Sequence, residues 1–399
     1  MKCRLSRWVV AAFLLCATLA VRAPQLEAQR FRNSAYDYYL DIPIGWTVLH
    51  AESAEEVTFT DSERKAVFQV LAFENRFDSI ERLGRFVRER FDAYGDSAGF
   101  TYNGYDSLLA DYRFSAGRNE LRGYFLLVHA GRRSYVVMGY AALARYEQYH
   151  DVLLSAMDSF APGSAARHLP GPVSQFYYPY PAPDPKTVTV TIDGARLQLP
   201  LDDGELEATQ VLIEREARLL TAYGRHAYRR PDPRNLPPWA VAWQRYYRAI
   251  YRDNFARLAP LARQLDQHFS ATAVPAGRIP RELLAWLQGF EYYQTGSLSR
   301  LLSPPLTLVT RSGDCDSLGL TYVILLHHLG FDAILLVSSE YAHAVAGVDV
   351  AGDGWRYRFE GRSYLAAELT ADAELGLIDS TLADPGGWIP VGFRDPPLP

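Results

Sequence analysis

The sequence has 399 residues, of which 48% are hydrophobic and 22% are charged, and its formal net charge is −5. A chain of this length and apolar content can bury more than one core, so two or three domains are expected. It contains no basic stripe, which argues against nucleic acid as a partner.

The first 28 residues have the pattern of a secretory signal peptide. Basic residues precede a short apolar run over 8–20, and small residues suited to cleavage follow at Ala20 and Ala28. The run is too short to span a bilayer. We therefore predict that residues 1–28 are a signal peptide and that the protein is periplasmic or secreted. An uncleaved anchor and a mis-assigned start codon are the alternatives.

Cleavage would leave Cys315 as the sole cysteine, because Cys3 and Cys16 lie in the predicted signal. It would also change the net charge from −5 to −8, since four basic residues and one acidic residue are removed. One thiol can form no internal disulfide. An unpaired thiol in an exported protein is a candidate reactive group.

Residues 31–160 are predicted to form one α+β domain. Strand-like runs come first, the segment 79–91 has helical spacing, and more strands and a closing amphipathic helix follow. This order resembles PsbP-like domains, which are α/β/α sandwiches used for binding. An unrelated small α+β domain would show the same pattern, so both interpretations stay open.

Residues 161–186 are rich in proline and glycine and have no sustained period, which predicts a linker docked through its tyrosines. From 187 to 279 a hairpin and helices are expected. Alternation on both sides of Asp193-Gly194 is typical of a hairpin with a type I′ turn. The second helical pattern is rich in tyrosines, which we assign to a core or an interdomain face.

Cys315 follows Gly313 and Asp314 at the start of an apolar helical pattern that stops at Gly330. Gly313 would permit a sharp turn and Asp314 would act as the N-cap. Cys315 would then lie in the first turn, where backbone N–H groups and the helix dipole stabilise a thiolate. A packed small hydrophobe is the alternative to a nucleophile.

A strand-like run after this helix is followed by a second strand, 341–350, that contains His343. A helix, a strand and an antiparallel partner strand can return this histidine to the start of the cysteine helix. A structural histidine is the other interpretation.

Two further strands bring Glu368, which could accept a hydrogen bond from the imidazole and orient it. Asp349 and Asp379 are rivals for that role. An ion pair of Glu368 with Arg362 or Arg358 is the alternative without catalysis.

Four stretches together resemble the transglutaminase-like superfamily, particularly its bacterial cysteine-peptidase-like branch: GDC at 313–315, LLHHLGFDAILL, HAVAGVDV at 343–350 and YLAAELT. The resemblance covers about residues 280–380. For a domain over 280–399 it implies a papain-like core, in which the cysteine helix packs on an antiparallel sheet.

The resemblance also implies roles for individual residues. Cys315 would be the nucleophile, His343 the base and Glu368 the orienting acid. The stretch WLQGFEYYQTGS matches the segment before the family's cysteine, which would make Gln288 an oxyanion donor together with the backbone N–H of Cys315.

The sequence thus predicts an exported thiol acyl-transfer enzyme that hydrolyses amide bonds in protein or cell-wall peptides, in possible association with the cell envelope. Hydrolysis is preferred to amine transfer because water needs no acceptor site. One alternative is a non-catalytic envelope binding protein on the same scaffold. Another is a structural envelope protein whose function resides in residues 31–160.

No cofactor and no metal are predicted. The side chains of His327 and His328 would point in different directions from a helix, and the sequence has neither a cysteine pair nor a zinc-protease motif beside them. The sequence specifies neither the substrate nor the oligomeric state.

Overall fold

The computed structural model describes residues 30–224, 238–295 and 299–393, which form an α+β protein. The predicted signal peptide lies outside these residues. Among the helices that are described, none combines the length and the hydropathy that a bilayer crossing requires. The chain divides into two compact units, 30–167 with 171–177 and 168–170 with 178–393.

The first unit is mostly antiparallel sheet with three helices. Its strands are β1 (Arg30–Asn33), β2 (Tyr38–Asp41), β3 (Thr47–Ser53), β4 (Glu56–Thr60), β5 (Ala66–Glu74), β6 (Tyr94–Tyr102), β7 (Tyr105–Ala116), β8 (Asn119–Ala130), β9 (Arg133–Ala142) and β10 (Ala161–Pro162), and its helices are α1 (Ile80–Phe91), α2 (Tyr146–Asp158) and α3 (Pro172–Tyr177). The main sheet has seven strands in the order β3-β4-β5-β9-β8-β7-β6, and a small sheet has the order β1-β2-β10.

The central strands of the seven-stranded sheet are buried on both faces. Successive side chains of a strand point to opposite faces. Leu127 of β8 packs in a cluster with Leu83 and Val87 of α1, whereas its neighbour Leu126 packs in a second cluster with Met157 of α2. One helix therefore covers each face, and α1 buries the side that its helical spacing predicted.

The stretch before Tyr178 is more structured than its composition indicated. It carries β10, a short 3₁₀ helix and α3. The buried carboxylate of Asp158 accepts N–H groups from Val173 (2.9 Å) and Ser174 (3.0 Å) and so caps α3. At Gly171 a Cβ atom would lie 2.0 Å from the carbonyl oxygen of Asp158. This glycine therefore permits a close chain reversal.

The second unit begins with a hairpin and ends with a sheet that packs on a buried helix. Its elements are β11 (Lys186–Ile192), β12 (Ala195–Leu201), α4 (Asp203–Gly224), α5 (Pro238–Ala271), α6 (Ile279–Gln288), β13 (Glu291–Tyr292), α7 (Pro304–Thr310), β14 (Ser312–Gly313), α8 (Cys315–His328), β15 (Ala333–Ser338), β16 (His343–Val348), β17 (Arg356–Phe359), β18 (Arg362–Ala367) and β19 (Ile389–Val391). The predicted hairpin is confirmed: β11 pairs with β12, and Asp193 and Gly194 have φ angles of 46° and 78°, as a type I′ turn requires.

The sheet of the second unit is antiparallel, with the strand order β17-β18-β16-β15-β19. Leu335 of β15 and Ala346 of β16 share one core with α8, and Leu336 and Val345 pack in a second cluster around Trp388. Helix α8 also contacts α5, α6 and α7. It is buried nearly all round because its sequence is apolar on every face.

Candidate active site

Cys315 lies in the first turn of α8, as predicted, and is 9% exposed. Asp314 is the N-cap: its carboxylate accepts the backbone N–H of Ser317 at 2.9 Å and the Ser317 hydroxyl at 2.6 Å. The Ser317 hydroxyl oxygen in turn accepts the N–H of Leu302 at 2.9 Å. These bonds hold the backbone that carries the thiol.

Glycine is required at position 313 for a different reason from the one predicted. It lies in β14, which pairs in parallel with β13 and so places Tyr292 beside it. A Cβ atom at position 313 would come within 2.8 Å of the Ser317 side chain. Close packing against the first turn of α8, rather than a sharp turn, therefore requires glycine here.

His343 and Glu368 meet across neighbouring strands. His343 begins β16 and Glu368 follows β18, and the imidazole Nε2 lies 2.7 Å from Glu368 Oε2. The other carboxylate oxygen accepts the N–H (2.8 Å) and the hydroxyl (2.7 Å) of Thr370. An ionised carboxylate can only accept, so Nε2 carries a hydrogen, and in the neutral imidazole Nδ1 is then the ring nitrogen with the lone pair.

The cysteine and histidine segments also meet. The backbone N–H of Ala344, the residue after His343, lies close enough to the Cys315 thiol to lower its pKa, and the two residues share one core. This contact joins the start of β16 to the first turn of α8. The structure therefore brings together the three segments that carry Cys315, His343 and Glu368.

The environment of the thiol favours its neutral form. Burial raises the pKa of Cys315, and the carboxylates of Asp316 and Asp314 raise it further, whereas the N–H groups of Ala344 and Asp316 lower it. The expectation of a thiolate stabilised by its helix position is thus not met. The reason is that burial and two flanking carboxylates outweigh the backbone donors.

Glu368 is held in its ionised form. Burial by itself would raise the pKa of this carboxyl group. The hydrogen bonds from His343 and Thr370 outweigh burial and lower the pKa below its ordinary value. A charged acceptor is therefore ready for the imidazole.

Asp316 and Tyr247 are site residues that the sequence did not predict. The hydroxyl of Tyr247, on α5, donates to Asp316 Oδ1 at 2.8 Å. Burial and the charge of Asp314 raise the pKa of Asp316 to about 7, while Tyr247 and His343 lower it. The only sequence signal was an acidic residue directly after the cysteine. Its tyrosine partner is 69 positions away along the chain.

The side chain of Gln288 is not placed as the predicted oxyanion donor. Its Nε2 group donates to the carbonyl oxygens of Glu368 and Ala373, both at 2.8 Å. Both amide hydrogens are used, so this arrangement leaves none for an oxyanion. The side chain instead ties the end of α6 to the segment that follows β18.

The two rivals of Glu368 lie in other contacts. Asp349 pairs with Arg362 at 3.0 Å. Asp379 accepts the N–H of Thr381 at 2.8 Å and begins a short 3₁₀ helix. The geometry thus brings Glu368, and neither rival, to the imidazole.

The histidine pair of α8 is occupied by protein partners. His327 meets the hydroxyl of Tyr251 at 2.8 Å and the carbonyl oxygen of Ala333 at 2.9 Å. His328 stacks on Phe255 and meets the carbonyl oxygen of that residue at 2.8 Å. Within the part of the chain that the structure describes, no group of three or more His, Cys, Asp or Glu residues is placed to hold a metal ion.

Three solved structures show weak similarity to this chain. No family model matches the sequence, and no curated protein matches it either. Among solved structures, the PsbP protein of the cyanobacterium Synechocystis sp. PCC 6803 (CyanoP) is 18% identical, with a TM-score of 0.29, over 34% of this chain and 91% of that one. This is a weak resemblance to PsbP over part of the N-terminal region.

Two further structures are similar to this chain. The protein of unknown function PA94 from Pseudomonas aeruginosa is 14% identical, with a TM-score of 0.23, over 31% of this chain and 84% of that one. A protein from Bacteroides thetaiotaomicron VPI-5482 is 8% identical, with a TM-score of 0.26, over 82% of this chain and 87% of that one. Similarities at this level carry no argument about function, and the transglutaminase-like resemblance stays a prediction.

Proposed function

We propose that the protein is an exported thiol acyl-transfer enzyme whose second unit has a papain-type core. The observation that carries this proposal is the 2.7 Å bond between His343 and Glu368 beside the strand residue that contacts Cys315. A helix that begins with cysteine packs on an antiparallel sheet, and two neighbouring strands supply an imidazole and its carboxylate. This set has the nucleophile, base and orienter of a thiol enzyme.

The reaction begins with the attack of Cys315 Sγ on an amide carbonyl carbon. Because the thiol is neutral, its proton passes to His343 Nδ1 as the carbon–sulfur bond forms. Glu368 stabilises the imidazolium through Nε2. The backbone N–H of Cys315 is the candidate donor to the tetrahedral oxyanion, since Gln288 is engaged elsewhere.

The imidazolium then gives its proton to the leaving amine, the carbon–nitrogen bond breaks, and a thioester remains on Cys315. Water attacks the thioester, His343 takes a proton from it, and the acid leaves as the thiol is restored. Hydrolysis of protein or cell-wall peptides is the preferred outcome, and an amine in place of water would give transfer.

The first test measures alkylation of Cys315 by iodoacetamide in the full chain, with the labelled residue located by mass spectrometry. If His343 assists deprotonation, His343→Ala should label more slowly. A shift of one pKa unit alone changes the thiolate fraction about tenfold. His150→Ala, in the first unit, is the matched control and should label like the wild type. Equal rates in His343→Ala and the wild type would contradict the proposal.

The second candidate is a non-catalytic binding protein on the same scaffold. Burial of Cys315, at 9% exposure, and the raised pKa of its thiol favour this function. The same measurement separates the two. A binding protein should label only at the alkaline pH of a buried thiol, with no dependence on His343.

A further inference from the structure

A cleft in the first unit lies at the start of α1, and we name it the arginine cleft. It has a volume of about 540 Å³ and is lined by Asn75, Arg76, Phe77, Asp78, Arg82, Gly131 and Arg132. Ligand pockets in proteins commonly have volumes of about 300–1,000 Å³. Three arginines against one carboxylate make the lining positive, although the whole chain has a formal net charge of −5.

The backbone around the cleft is held in place. Asn75 has a φ angle of 53°, and its N–H donates to the carbonyl oxygen of Arg132 at 2.7 Å. This bond joins the loop after β5 to the turn between β8 and β9. The two segments that supply the arginines are therefore fixed relative to each other.

Arg76 is presented by an aromatic cluster. Its guanidinium carbon lies 4.9 Å from the ring centre of Phe73, 5.4 Å from that of Phe77 and 4.6 Å from that of Phe86. The three rings also pack against one another at centroid distances of 5.2 to 5.8 Å. Rings that hold the face of a guanidinium leave its N–H edges available to an anion.

The other two arginines have only exposed or long ion pairs. Arg82 pairs with Asp78 at 2.6 Å, with both side chains more than 60% exposed, and Arg132 approaches Glu74 at 3.5 Å. Exposed ion pairs of this kind contribute little to stability, so an anionic ligand could replace the carboxylate at small cost. Among the described residues Arg76 takes part in no ion pair, so its charge is unmatched.

We infer that the arginine cleft binds the phosphate group of a small phosphate monoester that carries an apolar substituent. The terminal oxygens of a monoester can accept bidentate bonds from more than one guanidinium, whereas a carboxylate has only two oxygens. Phe77 is half-buried at the cleft and offers an apolar contact to the substituent. This site is independent of the thiol chemistry in the second unit.

The test is calorimetric titration of the full chain with phenyl phosphate, inorganic phosphate and phenol. Phenyl phosphate should bind saturably, inorganic phosphate more weakly, and phenol not at all. The inference would be overturned if phenol bound as tightly as phenyl phosphate, or if phenyl phosphate showed no saturable binding.

Variants show whether the arginine cleft is the binding site. Arg76→Gln should weaken binding by about tenfold or more, as expected for the loss of a charge-assisted pair. Arg85→Gln is the matched control, because Arg85 is an exposed arginine of α1 that does not line the cleft. Arg132→Gln leaves the aromatic cluster intact and should also weaken binding. Equal affinities in the wild type and both cleft variants would assign the binding elsewhere.

Discussion

The hydroxyl of Tyr247 donates a 2.8 Å hydrogen bond to Asp316, the residue that directly follows Cys315. Helix α5 thereby holds the first turn of the cysteine helix and places a carboxylate next to the thiol. The negative charge of Asp316 opposes the thiolate. After burial, this carboxylate makes the largest contribution to the raised pKa of the thiol.

Removal of that charge should make the thiol more acidic. In Asp316→Asn, which can still accept from Tyr247, the carboxylate that raises the Cys315 pKa is gone. The midpoint of the pH profile of Cys315 alkylation should therefore move to lower pH. A fall of one pH unit would correspond to about 1.4 kcal/mol. The measurement is the iodoacetamide rate as a function of pH.

Asp349→Asn is the control for this prediction, since it removes one negative charge at the exposed pair with Arg362. Its profile should match that of the wild type. An unshifted midpoint in Asp316→Asn would show that the carboxylate has no effect on the thiol. Equal shifts in both variants would indicate a general effect of net charge.

Glu368 should orient the imidazole rather than react. An amide oxygen at this position can still accept the Nε2 hydrogen, whereas alanine cannot. Cys315 alkylation at neutral pH should thus decrease in the order wild type, Glu368→Gln, Glu368→Ala, His343→Ala. Loss of an orienting acid in a triad can reduce turnover by as much as about 10⁴-fold.

Asp379→Ala provides the comparison for the Glu368 series, because Asp379 is an exposed carboxylate that caps a short turn. It should react at the wild-type rate. A wild-type rate in Glu368→Ala, with a large loss in Asp379→Ala or Asp349→Ala, would move the orienting role to one of those residues.

The Glu368 contact should also make stability depend on pH. The pKa of Glu368 is lowered in the folded protein. Its contribution is therefore fully present above the unfolded value of about 4.3 and is lost as the pH falls through the folded value. The difference in free energy of unfolding between the wild type and Glu368→Gln should be largest near pH 6 and should shrink by pH 3.

Urea unfolding of both proteins at the two pH values measures this difference. Glu340→Gln, which changes an exposed glutamate in the turn after β15, is the control. A constant difference between pH 6 and pH 3 for Glu368→Gln would mean that ionisation of Glu368 does not stabilise the fold.

The first unit should fold alone, and its stability should depend on α3. A fragment of residues 30–177 keeps the bonds from the N–H groups of Val173 and Ser174 to the carboxylate of Asp158. A fragment of residues 30–160 lacks α3 and therefore these two donors. The shorter fragment also loses the packing of Val173 and Phe176 on the core of the first unit, and full burial of one apolar side chain contributes about 1.5–3 kcal/mol. The longer fragment should melt cooperatively and about 3 °C or more above the shorter one.

Circular dichroism melting of the two fragments gives the answer. Asp158→Ala in the longer fragment should remove part of the difference, because α3 then lacks its cap. Equal melting temperatures of the two fragments would show that α3 adds nothing to the first unit.

Local signals predicted a large part of the candidate site. Asp314 is an N-cap because an aspartate at a helix start can accept the N–H three residues later, and Gly330 ends the helix with a φ angle of 85°. The alternating strands after the helix place His343 and Glu368 on neighbouring strands. Their contact depends on the pairing of β16 with β18 rather than with β17, which consecutive hairpin connections alone would not have predicted.

Contacts between distant segments could not be predicted in this way. Tyr247 looks like any core tyrosine of an amphipathic helix, and its bond to Asp316 depends on how α5 packs on α8. The amide of Gln288 meets carbonyl groups some 80 residues away. The pKa of the thiol depends on burial and on two carboxylates at once, which helix position alone does not describe.

The amide of Gln288 makes a mechanical connection. One nitrogen grips two carbonyl groups of the chain, at Glu368 and Ala373, and the same residue is the last of α6. A shift of α6 would therefore move the backbone of Glu368, whose carboxylate contacts His343, without any contact at the thiol. A displacement of α6 would therefore reach the imidazole of His343 through Gln288 and the backbone of Glu368.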